Sequence, residues 1–220
     1  ANLMTRTDVK ICGIASPSDY DVCADAGVAF VGMVFYARSP RHLSFERAAL
    51  ISQHAKEQQQ SGPKRVALTV NMDEVEMTRM ISFADPDILQ LHGDETPIQA
   101  EKLKARHGLP IIKAILVASA DDLAVCEEWG GVADWLLFDA KGDPGGLPGG
   151  TGHRFDWSLL ANHAGKTKWM LAGGLSVENV GRAVVTTNAK AVDVSSGVES
   201  APGKKDPRLI HAFVSAAQIG

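Results

Sequence analysis

Eight times along this chain a short apolar run, β-branched in most cases, is followed by an amphipathic run, and this strict alternation limits the fold more than any other feature. Strands are expected at 8–12, 29–35, 65–71, 87–91, 110–116, 134–139, 168–172 and 191–195. Helices are expected near 17–26, 44–59, 73–83, 95–107, 119–129, 156–163, 176–187 and 206–217. Ser16-Pro17, Ser44, and Ser176 with Asn179 are helix-start signals, and Gly27, Gly62 and Gly108 stand where helices should stop. Alternation of this kind implies parallel strands covered by helices. Eight units in 220 residues, about 27 residues each, fit a compact (β/α)8 TIM barrel, whose usual size is about 250 residues. An open doubly wound sheet normally has fewer strands and a G-x-G-x-x-G turn after the first, whereas Cys12-Gly13 leads into no such motif. No linker-like stretch divides the chain, so residues 1–220 are expected to form one α/β barrel domain. Ala1–Leu3 ahead of Met4 read as a non-native extension.

Composition narrows the partners. A formal net charge of −4 without any block of like charges removes the electrostatic case for nucleic acid or an anionic membrane. No apolar run is long enough to span a bilayer, and the N-terminal stretch lacks a basic segment followed by an apolar core. Three cysteines spread along the chain make no disulfide framework, which points to a reducing cytoplasm. Cys23 and Cys126 fall in helical patterns and read as packing residues. Nothing in the sequence fixes an oligomeric state.

In a barrel of this type the loops after the strands build the active site, so residues at strand C-terminal ends are read as chemistry first. The first strand ends Val9-Lys10-Ile11-Cys12-Gly13. Period-two alternation puts Val9 and Ile11 on the face under the helices, and Lys10 with Cys12 on the interior face. Taken alone, Cys12 reads as a packed thiol, the common fate of a free cysteine. Lys10 needs a buried partner, and Asp193 on the eighth strand, which closes the barrel against the first, is the candidate. Strand six ends on Asp139, an acid or a loop hydrogen-bonder, followed by a glycine-rich stretch from Ala140 to Arg154 that suggests a lid. Lys113 and Asn71 also fall at strand ends. Arg41, after the turn Ser39-Pro40, is placed to fork onto a substrate carboxylate, with Arg38 as its alternative. His92 follows strand four; without a second His or Cys at ligand spacing a metal role is weak, and Asp94-Glu95 look like a helix start. Gly173-Gly174 after strand seven and Ser195-Ser196-Gly197 after strand eight stand where barrels hold phosphate, with a helix expected to open near Val177.

Together these segments resemble phosphoribosylanthranilate isomerase of tryptophan synthesis. The match runs in order through Lys10–Gly13, Gly32–Tyr36 with Ser39–Arg41, Val70-Asn71, Gln90–Gly93 and Leu137–Asp139. It continues with Gly149–Gly152, Phe155–Trp157, Ala172–Leu175, Val192–Glu199 and Pro202–Asp206. Phe138 before the aspartate and the lid prolines Pro144 and Pro148 are minor variations. The resemblance implies an Amadori rearrangement of N-(5-phosphoribosyl)anthranilate to 1-(2-carboxyphenylamino)-1-deoxyribulose 5-phosphate, without metal or cofactor. It implies Cys12 as general base, Asp139 as general acid and Arg41 on the anthranilate carboxylate. His92 is implied as a further substrate contact, with Gly173, Gly174, Ser196 and Gly197 on the phosphate and Lys10 with Asp193 in support. A base must be ionised while an acid is protonated, which needs two different environments. Cys12 therefore needs a positive field, for which Lys10 is the visible source. Two rivals are weaker. The bifunctional isomerase that also serves histidine synthesis carries aspartates after strands one and five, where this chain has Cys12 and Lys113. A barrel that merely senses a phosphorylated metabolite would not need Cys12 and Asp139 together.

Overall fold

The alternation closes on itself. In a computed structural model of the chain, β1 (Asp8–Cys12), β2 (Phe30–Phe35), β3 (Lys64–Thr69), β4 (Ile88–Leu91), β5 (Ile111–Val117), β6 (Trp135–Ala140), β7 (Lys168–Leu171) and β8 (Ala191–Val194) pair in sequence order. All pairings are parallel, and β8 returns to β1 to complete the barrel. The structure describes residues 6–58, 61–142 and 155–218. Ala1–Leu3 lie outside these residues, as do Pro144, Pro148, the stretch 149–152 and most of the glycine-rich stretch expected to be a lid, from 143 to 154.

Helices α1 (Pro17–Asp25), α2 (Phe45–Glu57), α3 (Glu74–Ala84), α4 (Pro97–His107), α5 (Val180–Thr187) and α6 (Pro207–Ala217) cover the outside. Ser16 and Ser44 cap as expected, their hydroxyls accepting from Asp19 N and Arg47 N. Gly108 ends α4 in the left-handed conformation, and Asp85 and Asn188 do the same for α3 and α5. Gly62 does not stop a helix: α2 ends at Glu57, and Gly62 lies against the Tyr20 hydroxyl. Glu95 does not open α4 either, because Thr96 caps it in a reciprocal box with Gln99.

Three connections depart from expectation. The segments Ala120–Trp129 and Trp157–Leu160 are 3₁₀ rather than α-helical. At about 2.0 Å rise per residue the first stretches a third further than an α-helix of equal length, and it carries Trp129 into the core over the Lys113 ammonium. After β7 the helix begins at Val180, with the preceding turn closed by Val180 N to Ser176 O. Beyond β8 a small hairpin, β9 (Glu199–Ala201) and β10 (Lys204–Lys205), stands over the mouth beside the β2 loop.

Strand parity sorts the core into two layers. Val9, Ile11, Val31, Met33, Leu136, Phe138, Val192 and Val194 pack under the helices. Phe30, Val66, Ile88, Ile112, Leu137, Met170 and Ala191 fill the barrel floor, and Cys12, Val34 and Leu68 form a separate patch. The floor is thus a packed plug, and polar side chains gather above it. Among the described residues no helix is long and apolar enough to cross a membrane.

Candidate active site

The β1–β8 seam sets the first group. Register places Lys10 opposite Asp193, and Lys10 Nζ donates to Asp193 Oδ1 at 2.8 Å. Two residues further along β1, Cys12 is buried beside that pair. Burial pushes the thiol above its ordinary value, against the pull of the Lys10 ammonium and of Lys205. The field expected from Lys10 is therefore present but does not outweigh desolvation. Space for the sulfur is made by Gly32 on β2: a Cβ there would sit 2.8 Å from Cys12 Sγ. The sequence carried Gly32 only as part of the resembling segment, since nothing local to β2 reveals which side chain leans on it.

A second group meets at the ends of β4 and β6. Asp139 is buried, its Oδ1 accepting from Ala140 N at 2.8 Å. Its Oδ2 lies 3.3 Å from His92 Nε2, in contact but not aligned for a hydrogen bond. Gln90 Nε2 lies 2.9 Å from His92 Nδ1. With the amide donating, the imidazole carries its proton on Nε2 and turns that edge toward Asp139.

The two glycine loops converge as their positions suggested. A small cavity of about 30 Å³ is lined by Asp139, Gly173, Gly174, Asp193, Ser196 and Gly197, among others. Gly173, at φ 92°, lies so close to β6 that a Cβ would come within 2.9 Å of Ala140 N. A Cβ on Gly197 would run into the Leu175 carbonyl, so the two loops interlock. Asn179 stands at the N-cap of α5 as expected, but its side chain staples the first loop, accepting from Ser176 N and donating to Gly174 O.

Arg41 is not free-standing. Its Nε and Nη2 donate to Glu199 at 2.9 and 2.6 Å, and Glu199 also takes Lys205 Nζ at 2.9 Å. Lys205 in turn donates to Ser195 O at 3.0 Å. The sequence offers no local sign of this cluster, because Glu199 and Lys205 meet only through the hairpin. Arg38 is exposed, with Nη1 3.5 Å from the Tyr36 hydroxyl.

Lys113, expected at the chemical end of its strand, instead shares the parity of Ile111 and Ile115 and faces the helix layer. Its ammonium donates to Gly93 O at 2.6 Å and to Glu95 at 3.1 Å. Glu95 also accepts from Gly93 N and Asn71 N, holding the loops after β3 and β4 together.

Comparison with known proteins points the same way as this geometry. A protein from Parvibaculum lavamentivorans named N-(5′-phosphoribosyl)anthranilate isomerase is 50% identical over 213 residues, covering 96% of this chain and 97% of that one. The crystal structure of phosphoribosyl anthranilate isomerase from Thermotoga maritima matches with TM-score 0.84 and 35% identity over 96% of this chain and 98% of that one. A structure of phosphoribosyl anthranilate isomerase in complex with reduced 1-(o-carboxyphenylamino)-1-deoxyribulose 5-phosphate matches with TM-score 0.81 and 32% identity over 96% of this chain and 98% of that one. A family model described as N-(5′-phosphoribosyl)anthranilate isomerase spans residues 9–216, and the chain belongs to that family.

Proposed function

We propose that Cys12 and Asp139 are the base and acid of an Amadori rearrangement on a phosphoribosyl anthranilate. Membership of the family makes the chain an isomerase of tryptophan biosynthesis; the assignment of roles to its residues is our reading. The observation that carries it is the sharing of one mouth: Asp139 and Asp193 line the cavity between the glycine loops, and Asp193 holds Lys10, which reaches Cys12.

In this reading the substrate phosphate sits on the backbone of Gly173-Gly174 and Ser196-Gly197, where unpaired N–H groups of tight turns suit an anion. Asp139 gives its proton to the furanose ring oxygen and the C1′–O bond breaks, leaving an iminium. Cys12 as thiolate then takes the C2′ proton, and the electron pair moves into an enolamine. Ketonisation of the enolamine gives the 1-deoxyribulose product. Lys10 and Lys205 stabilise the thiolate against its burial, while Ala140 N holds the Asp139 carboxyl and His92 packs against it. Arg41 holds the anthranilate carboxylate.

Single-turnover kinetics with freshly made phosphoribosylanthranilate, followed by loss of anthranilate fluorescence, tests the pair. Cys12→Ser and Asp139→Asn are each expected to lower kcat by about 10²-fold or more while the substrate still binds. Near-normal turnover in either variant removes its residue from the chemistry.

A further inference from the structure

We infer that Glu199 is a positioning residue that sets the recognition edge of Arg41. The inference rests on the reading of Arg41 as the carboxylate anchor. Glu199 takes both Nε and Nη2 of the guanidinium in a two-pronged pair, at 2.9 and 2.6 Å. The side chains are nearly enclosed, with 9% of Arg41 and 3% of Glu199 exposed. An arginine fork held along one edge turns its opposite edge, with Nη1, in a fixed direction. The stem is fixed as well, because the alkyl chain lies over Gly13, where a Cβ would come within 2.8 Å of Arg41 Cδ.

Glu199 is itself anchored. Its other bond goes to Lys205, whose fully enclosed ammonium also holds Ser195 O beside the phosphate loop. Gly203, in the turn of the same hairpin, closes on the β2 loop, so that a Cβ there would lie 2.8 Å from Pro40 O. The hairpin thus fixes the arginine relative to the loop that takes the phosphate. A rigid distance between the two anion sites selects a ligand with a phosphate at one end and an aryl carboxylate at the other.

The test compares two ligands by calorimetry: the reduced carboxyphenylamino-deoxyribulose 5-phosphate, and its anilino counterpart lacking only the carboxylate. Arg41→Ala and Glu199→Gln are each expected to weaken the carboxylated ligand about tenfold or more. Both are expected to leave the anilino ligand within about twofold, and the double variant is expected to bind no worse than Arg41→Ala alone. Loss with Arg41→Ala but none with Glu199→Gln overturns the inference and leaves the Arg41 reading standing. Equal weakening of both ligands by Glu199→Gln also overturns it, by showing general damage to the site. No loss with Arg41→Ala removes the Arg41 reading and the inference with it. Should Glu199→Gln fail to fold, Glu199→Asp, which keeps the charge and withdraws it by one methylene, faces the same criteria.

Discussion

Lys10→Met is expected to destabilise the protein by about 3 kcal/mol. The Lys10 side chain is 0% exposed and its Nζ sits 2.8 Å from Asp193, which retains 12% exposure. At an effective dielectric of about 20 that separation corresponds to about 6 kcal/mol of gross attraction. Desolvation of the two ions, several kcal/mol each, cancels most of it. Removing the lysine does not restore balance, because it strands the Asp193 charge; for an enclosed pair this costs about 3–5 kcal/mol. The residual exposure of Asp193 at the cavity places the expectation at the low end. Methionine follows the straight lysine stem, so no large cavity adds to the loss. Against a total stability of about 5–15 kcal/mol the variant still folds, and urea denaturation reads the difference. Lys10→Met with Asp193→Leu removes the stranded charge and is expected to return within about 1 kcal/mol of the parent. Burial pulls the Lys10 ammonium down, but Asp193 and Cys12 outweigh it and hold it above its ordinary value. The pair's contribution is therefore complete below the unfolded lysine value of about 10.4 and lost as pH climbs through the folded one. The parent should lose stability in that alkaline range while Lys10→Met does not. A loss under about 1 kcal/mol, or a double variant as unstable as the two singles combined, would refute the argument.

Three other perturbations probe the rest of the site. Because burial holds the Cys12 thiol above its ordinary value, kcat/KM should still be climbing through about pH 8.5, the usual thiol value; a plateau already reached at neutral pH would contradict this. Gly32→Ala sets a methyl group 2.8 Å from Cys12 Sγ, and should cost about 1–3 kcal/mol and depress kcat, so parent-like kinetics would mean that the sulfur's position is uncritical. Lys113→Met leaves Glu95 enclosed without its cation and should lower stability by about 3 kcal/mol while reducing kcat far less than Asp139→Asn. A stable but inactive variant would return Lys113 to the chemistry.

The barrel was legible because its causes are local and repeated. Each strand is an apolar run whose length is within one residue of expectation, and the caps at Ser16, Ser44 and Gly108 act through neighbours within four residues. Even the Lys10–Asp193 pair could be read, since closure of strand eight on strand one follows from the fold and period two fixes the facing side chains. The 3₁₀ segment at Ala120–Trp129 was not legible, because amphipathic spacing does not distinguish i→i+3 from i→i+4 bonding when the choice is set by where Trp129 must land. Lys113 departs from expectation for a related reason: it is the third residue of β5 rather than its last, and parity with Ile111 and Ile115 assigns it to the outer face. The Arg41–Glu199–Lys205 cluster spans more than 150 residues and is built by a two-strand hairpin that has no periodic signature of its own.

That cluster alters how the chemistry of Cys12 is understood. With Lys10 and Asp193 alone beside it, each charge would cancel the other and a buried thiol would have no reason to ionise. Beyond the Lys10–Asp193 pair, the structure joins two cations, Arg41 and Lys205, to the one carboxylate of Glu199, and the charge of Lys205 acts on the thiol alongside that of Lys10. Glu199 is held below the usual carboxylate range: burial raises it, but the hydrogen bonds and charges of Arg41 and Lys205 outweigh that. It therefore stays ionised at neutral pH, and one positive charge is left uncompensated. A thiolate formed at Cys12 would complete the balance, so the surplus favours ionisation that burial opposes. The same surplus draws an anionic substrate, and exclusion of water when the ligand binds strengthens the attraction between Lys10 and the sulfur. In the proposed reading, base strength and substrate charge are thus coupled through Lys205 and Glu199. Neutralising Glu199 should shift the rising limb of kcat/KM, set by the thiol, toward lower pH even as the carboxylate is held less well.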